Sequence, residues 1–168
     1  MSISMHSASA PIFLRQLTAM LGWLDKAEIH AQARGFDAVA FLQQRLAPDM
    51  LPLVSQVRIA SDAAKGCMAR LSRQESPKFE DNESTVAEVR QRIQKTIDYV
   101  ASVPASAVDG SEGLEVVIPL RNRDPLKFDG ETYLKHFALP NFQFHCSMTY
   151  ALLRQAGVAL GKADYLGG

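Results

Sequence analysis

The sequence predicts an all-α protein, a four-helix bundle with a crossover connection and a small β-hairpin before the last long helix. Four long stretches repeat apolar residues at steps of three and four, the spacing of one helix face. Proline, glycine and capping residues mark the ends of these stretches. A β-branched run lies between the third and fourth stretches and predicts an inserted hairpin. At 168 residues, the chain is expected to form one domain over residues 1–168.

The first helix is predicted to run from Pro11, which suits a first helical turn, to Gly35, which suits a left-handed helix end. Its apolar stripe consists of Leu14, Leu17, Leu21, Leu24, Ala27 and Ala31. A short helix that begins at Asp37 is then expected before Ala47. It carries the chain across the bundle to the second long helix.

The second long helix is predicted to begin at Pro48 and Asp49 and to end near Leu71. Pro52 falls within its first turn, where proline is tolerated. The steps of the apolar stripe place Gln56 on the border of the buried face. Gln56 is therefore the polar residue of this helix that we expect to face the core.

The third helix and the hairpin follow. Thr85 and Glu88 are spaced as a capping box, which predicts a helix start. Beyond this helix, the residues of 114–120 and 125–130 flank a turn-like RNRD sequence that begins at Arg121, which predicts the hairpin. Its basic residues alternate with aspartates, so we expect a solvated tip and not a phosphate site.

The last long helix is expected to begin at Pro140 and to end at Gly157, after a short helical approach over residues 130–139. The tail after Gly157 lacks helical periodicity. We expect residues 162–166 to pack across the bundle surface as an extended segment.

Two polar residues share the inward face of the last helix. Asn141 and His145 lie one turn apart, in line with Met148 and Leu152. One interpretation is a core histidine that is hydrogen-bonded to a neighbouring amide, because buried polar groups find partners. The other is a ligand-binding or catalytic histidine, because imidazole titrates near neutral pH.

Charge and hydropathy exclude several classes of partner. Lysine plus arginine number 18, equal to aspartate plus glutamate, so no net field attracts nucleic acid or an anionic membrane. No apolar run approaches the roughly eighteen residues of a membrane span. Cys67 and Cys146 lack the spacing of a metal or redox motif and are expected to be reduced core residues. These features predict a cytoplasmic protein.

Three segments resemble a known family. They are LAPDMLPLVSQVRIASDAAKG in the second helix, HFALPNFQFH around residue 140, and LLRQAGVALGKADYLG at the end. On these segments and its overall arrangement, the chain resembles the DinB/YfiT-like superfamily of bacterial four-helix bundles, and within it a family of unknown function. Metal-binding members of that superfamily hold zinc or nickel with three histidines, one from the second helix and two from the fourth.

The resemblance implies where such ligands would fall in this chain. The Leu-Arg-x-x-Gly ending around Arg154 places the second histidine of the fourth helix on His145, the first on Asn141, and the ligand of the second helix near Gln56. One imidazole of three is kept, and amide oxygens are weak donors for zinc. His136 and Asp49 are the residues that could complete a rebuilt metal site with His145.

Two functions follow from this resemblance. The first is a small-molecule-binding bundle without a bound cofactor, whose pocket is formed by Gln56, Asn141 and His145. The second is a divalent-metal-dependent enzyme of the thiol-transferase kind, with His145 as a ligand of zinc or nickel. Other members imply a homodimer. Trp23 and the apolar excess of the first helix could form its interface, and a fully covered core helix explains them equally well.

Overall fold

The computed structural model of the protein describes residues 3–120 and 122–167. No helix within these residues is long and apolar enough to cross a membrane. In chain order the described elements are α1 (Ala10–Arg34), a 3₁₀ helix (Ala38–Gln43), α2 (Leu53–Leu71), α3 (Val86–Ser102), α4 (Ala105–Val108), β1 (Val116–Leu120), β2 (Arg123–Phe128), α5 (Gly130–Tyr133), a π-helical turn (Leu134–Ala138), α6 (Leu139–Gln155) and α7 (Lys162–Leu166).

The first long helix and the crossing segment agree with the prediction. Pro11 lies in the first turn of α1, and Gly35 ends the helix in the left-handed conformation with φ 73°. The crossing segment is a 3₁₀ helix, and the side chain of Asp37 caps it by accepting a hydrogen bond from the N–H of Val39.

The second long helix begins later than predicted. Its first residue is Leu53, and the predicted start at Pro48 and Asp49 is wrong. Pro52 has φ −70° and ψ 166°, an extended conformation, and proline also disfavours helical geometry in the residue before it. Residues 48–51 therefore form a turn. Gln56 consequently lies in the first turn of α2, where its N–H bonds to the carbonyl of Pro52.

The fourth long helix is preceded by further helical residues. Pro140 lies in the first turn of α6, as predicted, and Asp129 caps α5 by accepting a hydrogen bond from Thr132. Between α5 and α6, the backbone of Leu134–Ala138 stays helical but forms a π turn. A proline cannot donate the usual hydrogen bond to the preceding turn, and a widened turn accommodates this loss. Tyr133 therefore lies on the same helical path as α6.

The four long helices enclose one apolar core. The helix α2 packs along α6 and also on α3, while α1 packs on α3 and α6. The largest fully buried side chains are Trp23, Tyr133, Phe13, Phe142, Leu17, Met20, Leu24, Leu42, Leu53, Met68, Leu71 and Ile93.

The predicted capping box at Thr85 and Glu88 is present at the start of α3. Arg92, a charged residue of α3, is buried.

The small hairpin forms where the β-branched run predicted it. Its strands pair antiparallel, with Val116 opposite Phe128 and Ile118 opposite Leu126, and the register shifts next to Pro119. Arg121, at the predicted basic tip, lies outside the described residues.

The C-terminal segment is helical, so its prediction as an extended segment is wrong. Asp164 accepts a hydrogen bond from the N–H of Gly161 and so caps the short helix α7. As predicted, α7 packs across the bundle surface. The Trp23 indole donates to the carbonyl of Asp164 and stacks on Tyr165, with ring centroids 5.6 Å apart. Trp23 is thus covered by its own chain, and the homodimer stays a prediction.

Candidate functional site

Two of the predicted site residues meet in the core. Gln56, in the first turn of α2, and His145, in the middle of α6, lie across the seam between these helices. The side-chain oxygen of Gln56 is 2.7 Å from Nδ1 of His145. The amide nitrogen of Gln56 donates to the carbonyl of Leu51 at 2.9 Å. Both ends of the Gln56 amide are therefore occupied.

This arrangement determines the tautomer of His145. The carbonyl of Leu51 can only accept, so it takes the NH₂ group of Gln56 and leaves the amide oxygen facing the imidazole. An amide oxygen also only accepts, so Nδ1 of His145 carries the hydrogen. The lone pair of the imidazole is then on Nε2. Within residues 3–120 and 122–167, Nε2 makes no hydrogen bond, and because it is not one of the buried unpaired atoms, solvent can reach it.

Burial keeps the imidazole neutral. His145 is 9% exposed, and desolvation lowers its pKa below the ordinary value of 6.5. The ring of Phe144 meets that of His145 edge to face, with centroids 5.1 Å apart. At neutral pH, His145 is thus an uncharged group with one unused acceptor.

Asn141 lies one turn from His145 but does not join the pair. Its side chain is half-buried, and among the described residues it makes no hydrogen bond to Gln56 or His145. It lines a cavity of about 170 Å³ between α2, α6 and the hairpin. The other lining residues are Ile59, Asp62, Ala63, Arg70, Ile118, Tyr133, Phe137 and Ala138. We call this cavity the α2–α6 cleft.

The cleft continues the seam that holds the Gln56–His145 pair. Ile59 and Ala63, the next residues of α2 on this side, lie opposite Asn141 and Ala138. At the far end, Nη1 of Arg70 donates to the hydroxyl of Tyr133 at 3.2 Å. Residue numbers rise along α2 while they fall along its partner, so the two helices are antiparallel. The pair and the cleft are successive layers of one interface.

Arg70 and Tyr133 are site residues that sequence reasoning missed. A signal was present, because Gln56, Ile59, Ala63, Gly66 and Arg70 follow one another at steps of three and four. On the other side of the cleft, tyrosine, phenylalanine, asparagine and histidine recur at every fourth residue from 133 to 145. Each series could be recognised in the sequence as one face of a helix. The sequence did not show that the two faces enclose one cleft.

Three other cavities exceed the cleft in volume. One of about 250 Å³ is lined by Gln44, Arg45, Gln155 and Ala156. The remaining two, each about 420 Å³, lie away from His145. One is lined by the outer face of α1 and by Asp164 and Gly167 near the C-terminus. The other lies beside the loop before α3, where Arg92 and Glu83 pair with each other. Neither contains a residue of the predicted site.

The family of the protein follows from comparison with known proteins. A family model described as a domain of unknown function, DUF1993, matches residues 5–166. The chain belongs to the DUF1993 family. A solved structure of a DinB family member protein from Shewanella denitrificans is similar, with 34% sequence identity and a TM-score of 0.87, over 97% of this chain and 92% of that one. A comparison with curated proteins finds no match.

These comparisons confirm the DinB-like fold and the family of unknown function that the sequence predicts. In this DUF1993 chain, the remaining candidate ligands are far from a metal geometry. His136 and Asp49 are both exposed. Within residues 3–120 and 122–167, no three side chains of His, Cys, Asp or Glu are grouped so that they could hold a metal ion.

The donors beside His145 do not fit a zinc or nickel site either. The amide of Gln56 is already bound at both ends, and its oxygen faces Nδ1 rather than the lone pair on Nε2. Asn141 offers a neutral amide, which is a weak donor for these ions. In this DUF1993 protein, His145 is the single imidazole of the seam.

Neither cysteine is available as a nucleophile or ligand. Cys67 and Cys146 are free and buried in the core. Desolvation raises the pKa of Cys67 to about 12 and also raises the pKa of Cys146. Their thiols are therefore protonated at neutral pH, consistent with core residues.

Proposed function

We propose that this protein binds a small organic molecule in the α2–α6 cleft, with Asn141 as a polar group that orients it and His145 one turn away on the same seam. The observation that carries the proposal is the α2–α6 cleft, a cavity of about 170 Å³ that the side chain of Asn141 lines among mainly apolar neighbours. His145 lies one helical turn from Asn141, and its Nε2 makes no hydrogen bond to the described residues. Both polar groups are therefore open to a bound molecule.

The shape of the cleft supports the same proposal. Ligand sites in helical bundles lie between helices and combine apolar walls with few polar groups. Ile59, Ile118 and Phe137 supply apolar walls here, while the amide of Asn141 supplies both a donor and an acceptor. A cavity of about 150 Å³ is enough to hold benzene. The ligand class is therefore small, with a ring or a branched chain.

NMR with a fragment library tests this proposal. We expect fragments no larger than a substituted benzene to shift the side-chain amide signals of Asn141 and the imidazole signals of His145. Asn141→Ala should weaken binding, whereas Gln155→Ala, which removes an exposed amide from the same helix, should not. Signals that shift only outside the seam, or equal binding by both variants, would overturn the proposal.

A second candidate function is a divalent-metal-dependent enzyme of the thiol-transferase kind, with His145 as a ligand. One observation favours it: metal-bound histidines usually donate their other ring N–H to an oxygen acceptor, as Nδ1 of His145 does to Gln56. It ranks second because the other two ligands are not in place. Elemental analysis of protein purified without chelator should detect stoichiometric zinc or nickel that is lost in His145→Ala if this candidate is correct.

A further inference from the structure

We infer that the ligand of the α2–α6 cleft is a small monocarboxylate whose carboxylate group is bound by Arg70 and Tyr133. The inference rests on the proposed function, because it names the chemical class of the molecule that occupies the same cleft. It goes beyond that function by assigning the anchoring residues at the end of the cleft far from His145.

Among the residues that the structure describes, Arg70 is a cation without an anionic partner. Its guanidinium makes one hydrogen bond, to the hydroxyl of Tyr133, and its central carbon lies 5.9 Å from the centroid of that ring. A guanidinium has five N–H donors, so several remain for a ligand. Within residues 3–120 and 122–167, Arg70 is the only arginine that is at least partly buried and forms no salt bridge. The others with comparable burial, Arg58, Arg90 and Arg92, all pair with carboxylates.

Tyr133 adds a second unused donor at the same place. The side chain is 2% exposed, and its hydroxyl oxygen accepts the hydrogen bond from Arg70. The hydroxyl hydrogen itself has no acceptor among the described residues. Burial raises the pKa of Tyr133 to about 12, so this hydrogen is present at neutral pH. A carboxylate oxygen beside Arg70 would accept from both groups.

Gly66 explains how the guanidinium reaches this position. A Cβ atom at Gly66 would lie 2.6 Å from Nη1 of Arg70, which is too close. Glycine within a helix is less favourable than alanine, so its presence here calls for a local reason. The absence of a side chain at residue 66 leaves room for the Arg70 head group one turn later. Gly66 is therefore a positioning residue for the proposed anion site.

The charge around the cleft favours a carboxylate over a phosphate. Asp62 lines the cleft, but its carboxylate is bound by Lys65 and Arg92, each at 3.0 Å. A phosphate dianion would face this carboxylate with a single guanidinium to balance it. A monocarboxylate matches one guanidinium in charge, and its planar oxygens match the fork of arginine. The apolar walls would contact the rest of the molecule.

The experiment compares acids with their own amides. Benzoate, phenylacetate and isovalerate are titrated into the full chain beside benzamide, phenylacetamide and isovaleramide, with inorganic phosphate as a further probe. We expect each acid to bind about tenfold more tightly than its amide, the value of one charge-assisted hydrogen bond. Arg70→Met should remove this preference, and Tyr133→Phe should reduce it.

A matched pair of glycine variants separates ligand binding from folding. Gly66→Ala should raise the melting temperature, because alanine favours the helix, yet weaken binding of the acids by displacing the head group of Arg70. Gly22→Ala in α1 has no atom near its new Cβ, so it should raise the melting temperature and leave binding unchanged. Equal weakening by both variants would contradict the role of Gly66.

The outcomes distinguish this inference from the proposed function. Amides that bind in the cleft as tightly as the acids, or phosphate that binds more tightly, would overturn the carboxylate site and leave the small-molecule site standing. Acid binding that survives Arg70→Met would do the same. If no acid or amide shifts the signals of the cleft and the wider library also fails, both proposals are wrong.

Discussion

The side-chain oxygen of Gln56 lies 2.7 Å from Nδ1 of His145 and joins two helices whose partner residues are 89 positions apart in the chain. This contact gives His145 a defined tautomer and leaves Nε2 as its free acceptor. The superfamily resemblance places a metal ligand near Gln56, where this chain has an amide that bonds to His145.

The Gln56–His145 pair predicts a pH dependence of stability. Burial lowers the pKa of folded His145, so the unfolded chain takes up the proton more readily. The free energy of unfolding should therefore fall as the pH falls below about 6.5. In Gln56→Glu, a carboxylate beside Nδ1 would favour the imidazolium and raise the pKa. Urea unfolding at about pH 7.5 and about pH 5.5 should show a smaller loss in this variant than in the wild type.

An NMR titration of His145 provides the direct check of that prediction. Gln155→Glu, which adds a carboxylate on the exposed side of the same helix, serves as the control and should behave as the wild type. A wild-type pKa of His145 above 6.5 would contradict the burial argument.

The alignment with the metal-binding members predicts a gain of metal affinity. Gln56→His together with Asn141→His would restore three imidazoles on α2 and α6, the donors that zinc and nickel prefer. We expect the double variant to take up zinc or nickel more tightly than the wild type in isothermal titration calorimetry. Adding His145→Ala should abolish the gain. Uptake no better than wild type would show that these positions do not correspond to the triad.

The buried ion pair between Arg92 of α3 and Glu83 of the preceding loop predicts a large loss of stability when one partner is removed. Arg92 and Glu83 have side chains that are 2% and 7% exposed, with a nitrogen–oxygen distance of 2.8 Å. Removing one partner of a buried pair leaves the other charge uncompensated, so Arg92→Met should lower the free energy of unfolding by about 3 kcal/mol or more. Arg90→Met is the matched control, because its partners Asp25 and Glu28 are 64% and 46% exposed.

Urea unfolding curves measure both arginine variants. Arg90→Met should cost at most about 1 kcal/mol, the value of an exposed pair. Equal losses in the two variants would mean that burial of the pair does not determine its contribution.

Removal of the C-terminal helix α7 is predicted to change the fluorescence emission of Trp23. Trp23 is the one tryptophan of the chain, and α7 covers it through the hydrogen bond to Asp164 and the ring of Tyr165. Deletion of residues 162–168 should expose the indole and shift its emission to longer wavelength. Tyr165→Leu, which keeps the backbone acceptor, should cause a smaller shift. An unchanged emission maximum after the deletion would show that α7 does not cover Trp23.

Much of the fold was predictable because its signals are local. The end of α1 at Gly35 and the capping box of Thr85 and Glu88 depend on neighbours within four residues. The hairpin pairs two strands that follow one another in the chain. The start of α2 was misplaced because Pro48 and Pro52 both have the form of a helix start, and Pro52 also prevents the preceding residues from being helical. The C-terminal segment was misjudged because its helix depends on packing against Trp23.

The candidate site was predictable in part. Periodicity placed Gln56 on the border of the buried face and His145 on an inward face, and the structure brings these two together. Asn141 shares the helix face of His145 but lines the cleft instead of joining the pair. The burial of Arg92 did not follow from the sequence, because it depends on the acidic loop before α3, whose Asp81 and Glu83 pair with it.

The sequence by itself determined the helical class, most helix ends, the hairpin and the one imidazole of the last long helix, because each follows from residues close together in the chain. The tertiary structure decided which groups meet. The antiparallel packing of α2 on α6 aligns Gln56 with His145 and Arg70 with Tyr133. That alignment depends on how the side chains of two distant helices fit together, and no spacing within either helix specifies it.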